Sequence, residues 1–129
     1  MKLSLSKIHH IAIKVSDLEK VTAFYRDVLN FKEFERQQDA SGQDRSVWLE
    51  CAGTILMIEK HAGPTDSQSR VLGWHLLAFT ISAEERLSWE KYLLEKSVRI
   101  HLKSEYSLYF DDPEGNRIAL SHYPSKQTD

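Results

Sequence analysis

The sequence predicts an α+β protein made of two βαβββ modules, and three observations carry that reading. HHIAIKVS at residues 9–16 lines up without a gap with HLLAFTIS at residues 75–82, an offset of 66 (75 − 9). Each copy ends in a serine with a glutamate three residues on, Ser16 with Glu19 and Ser82 with Glu85. Each is then followed by a helix-length stretch and three short runs of strand-forming residues.

In order along the chain, residues 9–16 are β-branched and apolar, as a buried strand requires. Ser16 and Glu19 form the pattern of a capping box, in which hydroxyl and carboxylate satisfy backbone N–H groups at a helix start. The helix is expected over about 17–29, with Leu18, Val21, Phe24, Tyr25, Val28 and Leu29 along one stripe. FKEFER, SVWLEC and TILMIE follow as strands, with Ala52-Gly53 as a tight turn between the last two. KHAGPTDSQSR, rich in Gly, Pro and Ser, links the halves. The second helix is expected over about 83–96, where Leu87, Trp89, Tyr92, Leu93 and Leu94 share no narrow face. VRIHLK, SLYFD and RIALSHY are its strands, and Asp112-Pro113-Glu114-Gly115-Asn116 is a turn. The expected organisation is one domain over 1–129, with a first module at about 7–60, a linker at about 61–70 and a second module at about 71–124.

Composition narrows the function classes. At 129 residues the chain can bury one proper core, and its 28% charged residues match a globular protein. The net charge of −2 is spread without a basic stripe, which argues against nucleic acid or an anionic membrane as partner. The opening MKLSLSKIHH holds no long apolar run, so neither a signal peptide nor a membrane span is expected. Cys51 is the single cysteine, read as a buried, inert thiol, and the cytoplasm is the expected compartment.

The strings HHIAIKVSDLEKVTAFYRDVLNF, GTILMIE and YFDDPEGNRIAL together resemble the vicinal-oxygen-chelate superfamily across nearly the whole chain. That family includes glyoxalase I, extradiol dioxygenases, fosfomycin-resistance thiol transferases and metal-free bleomycin-binding proteins. The strings look most like the fosfomycin enzymes. The resemblance implies a glyoxalase-like fold, with paired βαβββ modules whose sheets form a cup for a small ligand. A homodimer is also expected.

Metal-using members hold a divalent ion with His and Glu side chains on four strands, and the ion acts as a Lewis acid on substrate oxygens. By the resemblance, those four positions fall here on His10, Met57, Leu76 and Ala119. One imidazole among three apolar side chains does not hold such an ion. No cofactor is therefore expected, and His10 is the only catalytic candidate. The ligand contacts expected are His10, Trp48, Met57, Leu76, Tyr109, Arg117 and Ala119. Strand alternation places Ala12, Lys14, Glu50, Ile55, Glu59, Ala78, Thr80 and Ser121 on the same faces. The apolar set Ile11, Ile13, Leu56, Ile58, Leu77, Phe79, Ile81, Leu108, Phe110, Ile118 and Leu120 should pack beneath the helices. In the repeat His75 matches His9, which puts it on that helix-packed side. His9, His61, His101 and His122 show no ligand spacing. The expected role is binding of a small, partly apolar organic molecule without metal. The alternative is a metal-dependent lyase, dioxygenase or thiol transferase with an unusual ligand set.

Overall fold

A computed structural model describes residues 3–5, 8–62 and 73–126. Most of the expected linker, from residue 63 on, lies outside the described residues. The chain divides into two compact units, Met1–Asp66 and Ser67–Asp129.

In the first unit the order is β1 (Ile11–Val15), α1 (Leu18–Ala23), β2 (Lys32–Gln38), β3 (Asp44–Cys51) and β4 (Thr54–Lys60), in a sheet ordered β1-β4-β3-β2. β1 runs parallel to β4, and the other pairs are antiparallel. Val47 stands opposite Ile58 and Leu49 opposite Leu56, and all four are buried. The helix covers that face with Leu18, Val21, Phe24, Tyr25 and Leu29, as the stripe predicts. After Ala23 the helix widens to a π-helical stretch, Phe24–Val28. Two consecutive aromatics at its start, Phe24 and Tyr25, are both buried. Ala52 and Gly53 have φ of 48° and 84°, the left-handed pair that a two-residue hairpin turn needs.

The second unit repeats the topology. β5 (Leu77–Thr80) leads to a 3₁₀ turn (Ala83–Glu85), α2 (Arg86–Glu95), β6 (Leu102–Lys103), β7 (Ser107–Asp111) and β8 (Arg117–Ser121), in a sheet ordered β5-β8-β7-β6. β5 begins 66 residues after β1 (77 − 11), the offset of the sequence repeat. Leu108 pairs with Leu120 and Phe110 with Ile118, and with Leu93 they are buried. The two sheets and few helices make the chain α+β, with the βαβββ order in both modules. Asp112 closes the last hairpin: one carboxylate oxygen accepts from the Glu114 and Asn116 N–H groups, each at 2.9 Å, and the other accepts from Asn116 Nδ2 at 2.7 Å.

Three local expectations are corrected. The cap of α1 is Asp17, whose Oδ1 accepts from the Lys20 N–H at 3.1 Å, rather than Ser16. Ser82 sits at the N-cap of the 3₁₀ turn but makes no side-chain cap bond, because the tighter turn brings Glu85 N to the Ser82 carbonyl at 3.2 Å. VRIHLK shortens to a two-residue β6. His101 N still reaches the Tyr109 carbonyl at 3.0 Å, but ladder pairing starts only at Leu102, and Val98 N is turned back to the Leu93 carbonyl at 2.8 Å at the end of α2.

Candidate functional site

On the first unit's sheet, Ala12, Met57 and Trp48 are neighbours across β1, β4 and β3, so their side chains share one face. Lys14, Glu59 and Ser46 form the adjacent row on that face. His10 lies one residue before β1, and its ring centroid is 5.0 Å from that of Trp48, which meets Phe34 at 6.4 Å. His9 Nδ1 lies 2.9 Å from His10 Nδ1, a pairing that strict alternation hides because neither residue is yet in the strand. The Trp48 indole N–H is buried and has no acceptor among the described residues. Glu50 is turned back to its own hairpin, accepting from the Gly53 N–H at 3.1 Å.

On the second unit's sheet, Ala78, Ala119 and Tyr109 form the corresponding row across β5, β8 and β7. Arg117, two residues before Ala119 on the same face, lays its guanidinium 4.9 Å from the Tyr109 ring centroid. Arg117 Nε is buried and has no partner among the described residues. Asp111 is directly opposite Arg117, yet its carboxylate lies 3.2 Å from His101 Nε2, and no described carboxylate pairs with Arg117. His75 departs from the alternation reading. β5 starts only at Leu77, so nothing forces residue 75 to the helix side, and its Nε2 lies 3.4 Å from Arg117 Nη1. Leu76 is half-buried and Ala119 is 2% exposed.

At His10, Met57, Leu76 and Ala119, the four positions that the resemblance marks for metal ligands, the side chains are one imidazole, one thioether and two hydrocarbons, a set that does not fit a divalent ion. Among the described residues, no three His, Cys, Asp or Glu side chains come together as a metal ion needs. Cys51 is half-buried, and burial, then the Glu50 charge, pushes its thiol up, so it is a poor nucleophile at neutral pH.

Two clusters carry no sequence signal. Arg86, at the start of α2, is 4% exposed and donates to the Ser104 carbonyl at 2.9 Å and the Glu105 carbonyl at 3.2 Å. Its Nη1 also lies 3.0 Å from His122 Nε2, which must accept because arginine has no acceptor; His122 Nδ1–H then donates to the Ser125 carbonyl. In the first unit Arg36 binds Glu33 at 2.9 Å, Asp44 at 2.8 Å and Glu19. These pairs frame a concavity of about 550 Å³ lined by Ser16, Asp17, Leu18, Glu19, Gln43, Asp44 and Lys60. It lies among surface ion pairs and includes none of the expected site residues.

Residues 7–120 match the family model of the glyoxalase/bleomycin resistance protein/dioxygenase superfamily. The chain belongs to that superfamily. Among its curated relatives is a metallothiol transferase FosB of Lysinibacillus sphaericus, 30% identical over 123 residues, covering 90% of this chain and 82% of the relative. A FosB of Staphylococcus saprophyticus is 26% identical over 122 residues, covering 90% and 76%. Among solved structures, the fosfomycin resistance protein FosX of Listeria monocytogenes, complexed with Mn(II) and sulfate, superposes with a TM-score of 0.74 at 25% identity, covering 92% of this chain and 93% of FosX. The superfamily membership and the glyoxalase-like fold follow from these matches together with the strand order.

Proposed function

We propose that this superfamily member binds a small, partly apolar organic molecule without a divalent metal, as drug-sequestering and ligand-sensing proteins do. The observation that carries the reading is a pair of buried donors, Trp48 Nε1 and Arg117 Nε, on the two sheet faces where ligand contacts are expected, with no acceptor for either among the described residues. Buried indole and guanidinium N–H groups ordinarily find partners, and a ligand acceptor would supply them. Around them stand aromatic and apolar groups with a few polar ones, the composition of an organic-ligand surface. His10, Trp48 and Met57 are the contacts proposed from the first unit, and Leu76, Tyr109, Arg117 and Ala119 from the second. His10 serves as a hydrogen-bonding group rather than a metal ligand.

A homodimer in the cytoplasm completes the proposal. Each sheet has two edge strands, β1 and β2 or β5 and β6, and a second chain is a common way to cover open edges. No helix among the described residues is long and apolar enough to cross a membrane.

Elemental analysis of the purified protein tests the reading: no stoichiometric Zn, Ni, Mn or Fe is expected. A second reading, a metal-dependent lyase, dioxygenase or thiol transferase with a different ligand set, is favoured by the relatives' names and by the Mn(II) complex of FosX. About one equivalent of such a metal, lost in His10→Ala, would decide for it.

A further inference from the structure

We infer that Arg117 and His75, braced on Tyr109, form an oxyanion-binding subsite, so that the ligand carries a carboxylate or phosphoryl group. The inference rests on the small-ligand reading above and names the chemistry of one end of that ligand.

The cation comes first. Arg117 is half-buried at the start of β8, and its described contacts are the Tyr109 ring and the His75 ring. The carboxylate best placed to neutralise it, Asp111 directly across the strand pair, is turned to His101. A partly desolvated guanidinium without a counter-ion favours an anion from outside. The Tyr109 face fixes the guanidinium plane, so little side-chain freedom is lost when an anion docks.

The donors come second. Arginine has no acceptor, so the 3.4 Å contact requires His75 Nε2 to accept, which leaves the ring hydrogen on Nδ1. His75 is exposed and makes no other described polar contact. The functions without a described partner, Arg117 Nε–H and Nη2–H and His75 Nδ1–H, are therefore all donors. A donor-only pair around a positive charge selects an oxyanion over a neutral carbonyl or an amine. In the neighbouring row Ala78 and Ala119 offer no polar side chain to compete, and the exposed Ala78 leaves hydrocarbon for the ligand's apolar part.

Phenylphosphonate, benzoate and the neutral analogue benzamide are the probes, titrated against the full chain with amide and side-chain NMR shifts as readout. Phenylphosphonate and benzoate should bind with shifts centred on Ala78, Tyr109 and Ala119, and benzamide at least about tenfold more weakly. Arg117→Met, which keeps the stem over Tyr109, should weaken the anions about tenfold or more and bring them level with benzamide. His75→Ala changes an exposed residue and keeps the test available if Arg117→Met fails to fold; it should weaken both anions about threefold or more. Anion affinity should also fall as salt is raised.

Equal binding of benzamide and benzoate, or anion binding unchanged in His75→Ala, would overturn the subsite while leaving small-ligand binding intact. Shifts from no probe would overturn the subsite too; the broader reading then stands or falls on the metal analysis and on uncharged aromatic ligands at Trp48. Phenylphosphonate binding tighter than benzoate would assign the group as phosphoryl, and the reverse as carboxylate.

Discussion

The two modules share strand order, crossover and register, yet they anchor their helices by different means. In the first, α1 and its π-helical extension press Leu18, Val21, Phe24, Tyr25 and Leu29 onto β3 and β4, while Arg36 and its carboxylates stay at the surface. In the second, Leu93 is the one buried apolar residue of α2, and the helix start is tied to backbone carbonyls and His122 through the buried Arg86. Leu87 and Leu94 remain 62% and 76% exposed. One topology can thus be held by a hydrocarbon stripe or by a buried charged side chain bonded to two carbonyls and a histidine. The faces opposite the cores differ as well: the first carries the His10 and Trp48 rings tilted against each other, the second a guanidinium without a carboxylate partner among the described residues.

Truncation of the hydrocarbon anchor gives the largest expected effect. Tyr25 is 2% exposed, and Tyr25→Ala should cost about 3–5 kcal/mol, the range for a buried aromatic cut to alanine. Urea unfolding measures it, and a loss below about 1 kcal/mol would mean α1 is not the main clamp of its sheet.

Arg86→Met comes next, at about 2–4 kcal/mol, because it strands the Ser104 and Glu105 carbonyls and His122 Nε2 while relieving the cost of a buried charge. Trp89 fluorescence, with the probe on α2 itself, follows this loss. A variant as stable as wild type would show that the buried charge cost as much as its bonds return, and the contrast between modules would then lie in shape alone.

The helix starts give a smaller and sharper contrast. Asp17→Ala should cost about 1 kcal/mol, as the loss of an N-cap acceptor does. Ser82→Ala should stay within about 0.5 kcal/mol, since its hydroxyl caps nothing. Equal losses in calorimetry would restore the symmetric capping that the repeated Ser-Glu spacing suggests.

The surface network should matter least near neutrality. Arg36→Met is expected to cost under about 1 kcal/mol, and less at high salt. Its signature is the pH profile. Hydrogen bonding from Arg36 holds Glu33 below the usual glutamate range and Asp44 below the usual aspartate range. Groups with depressed folded values add stability above their unfolded values and lose it as pH falls through the folded ones. Wild type should therefore lose stability below roughly pH 4, and Arg36→Met should lose less over the same interval. Parallel curves would remove the network from the stability of the first module.

Strands and core faces were legible in the residues because alternation and the 66-residue repeat are local patterns, visible wherever one face of a sheet is buried. β5 begins at 77 and β1 at 11, and the predicted apolar residues at 56, 58, 108, 110, 118 and 120 are all buried. The expectation that Met57, Leu76 and Ala119 stand where the resemblance puts metal donors needs only residue identity at aligned positions, and the elemental analysis proposed above tests it. The caps were misplaced by one residue or one chemistry, because Asp17 competes with Ser16 and a 3₁₀ turn replaces the first turn of α2.

Sequence by itself therefore determined the fold class, the repeat and the superfamily resemblance, all of which depend on side-chain type in register. Tertiary structure decided that His75 meets Arg117, that Asp111 turns to His101 and that Arg86 lies buried against His122. Those contacts join residues 42, 10 and 36 positions apart through side chains whose rotamers are set by packing. No periodicity of one strand or helix encodes such a choice, because it depends on which partner the rest of the module leaves within reach.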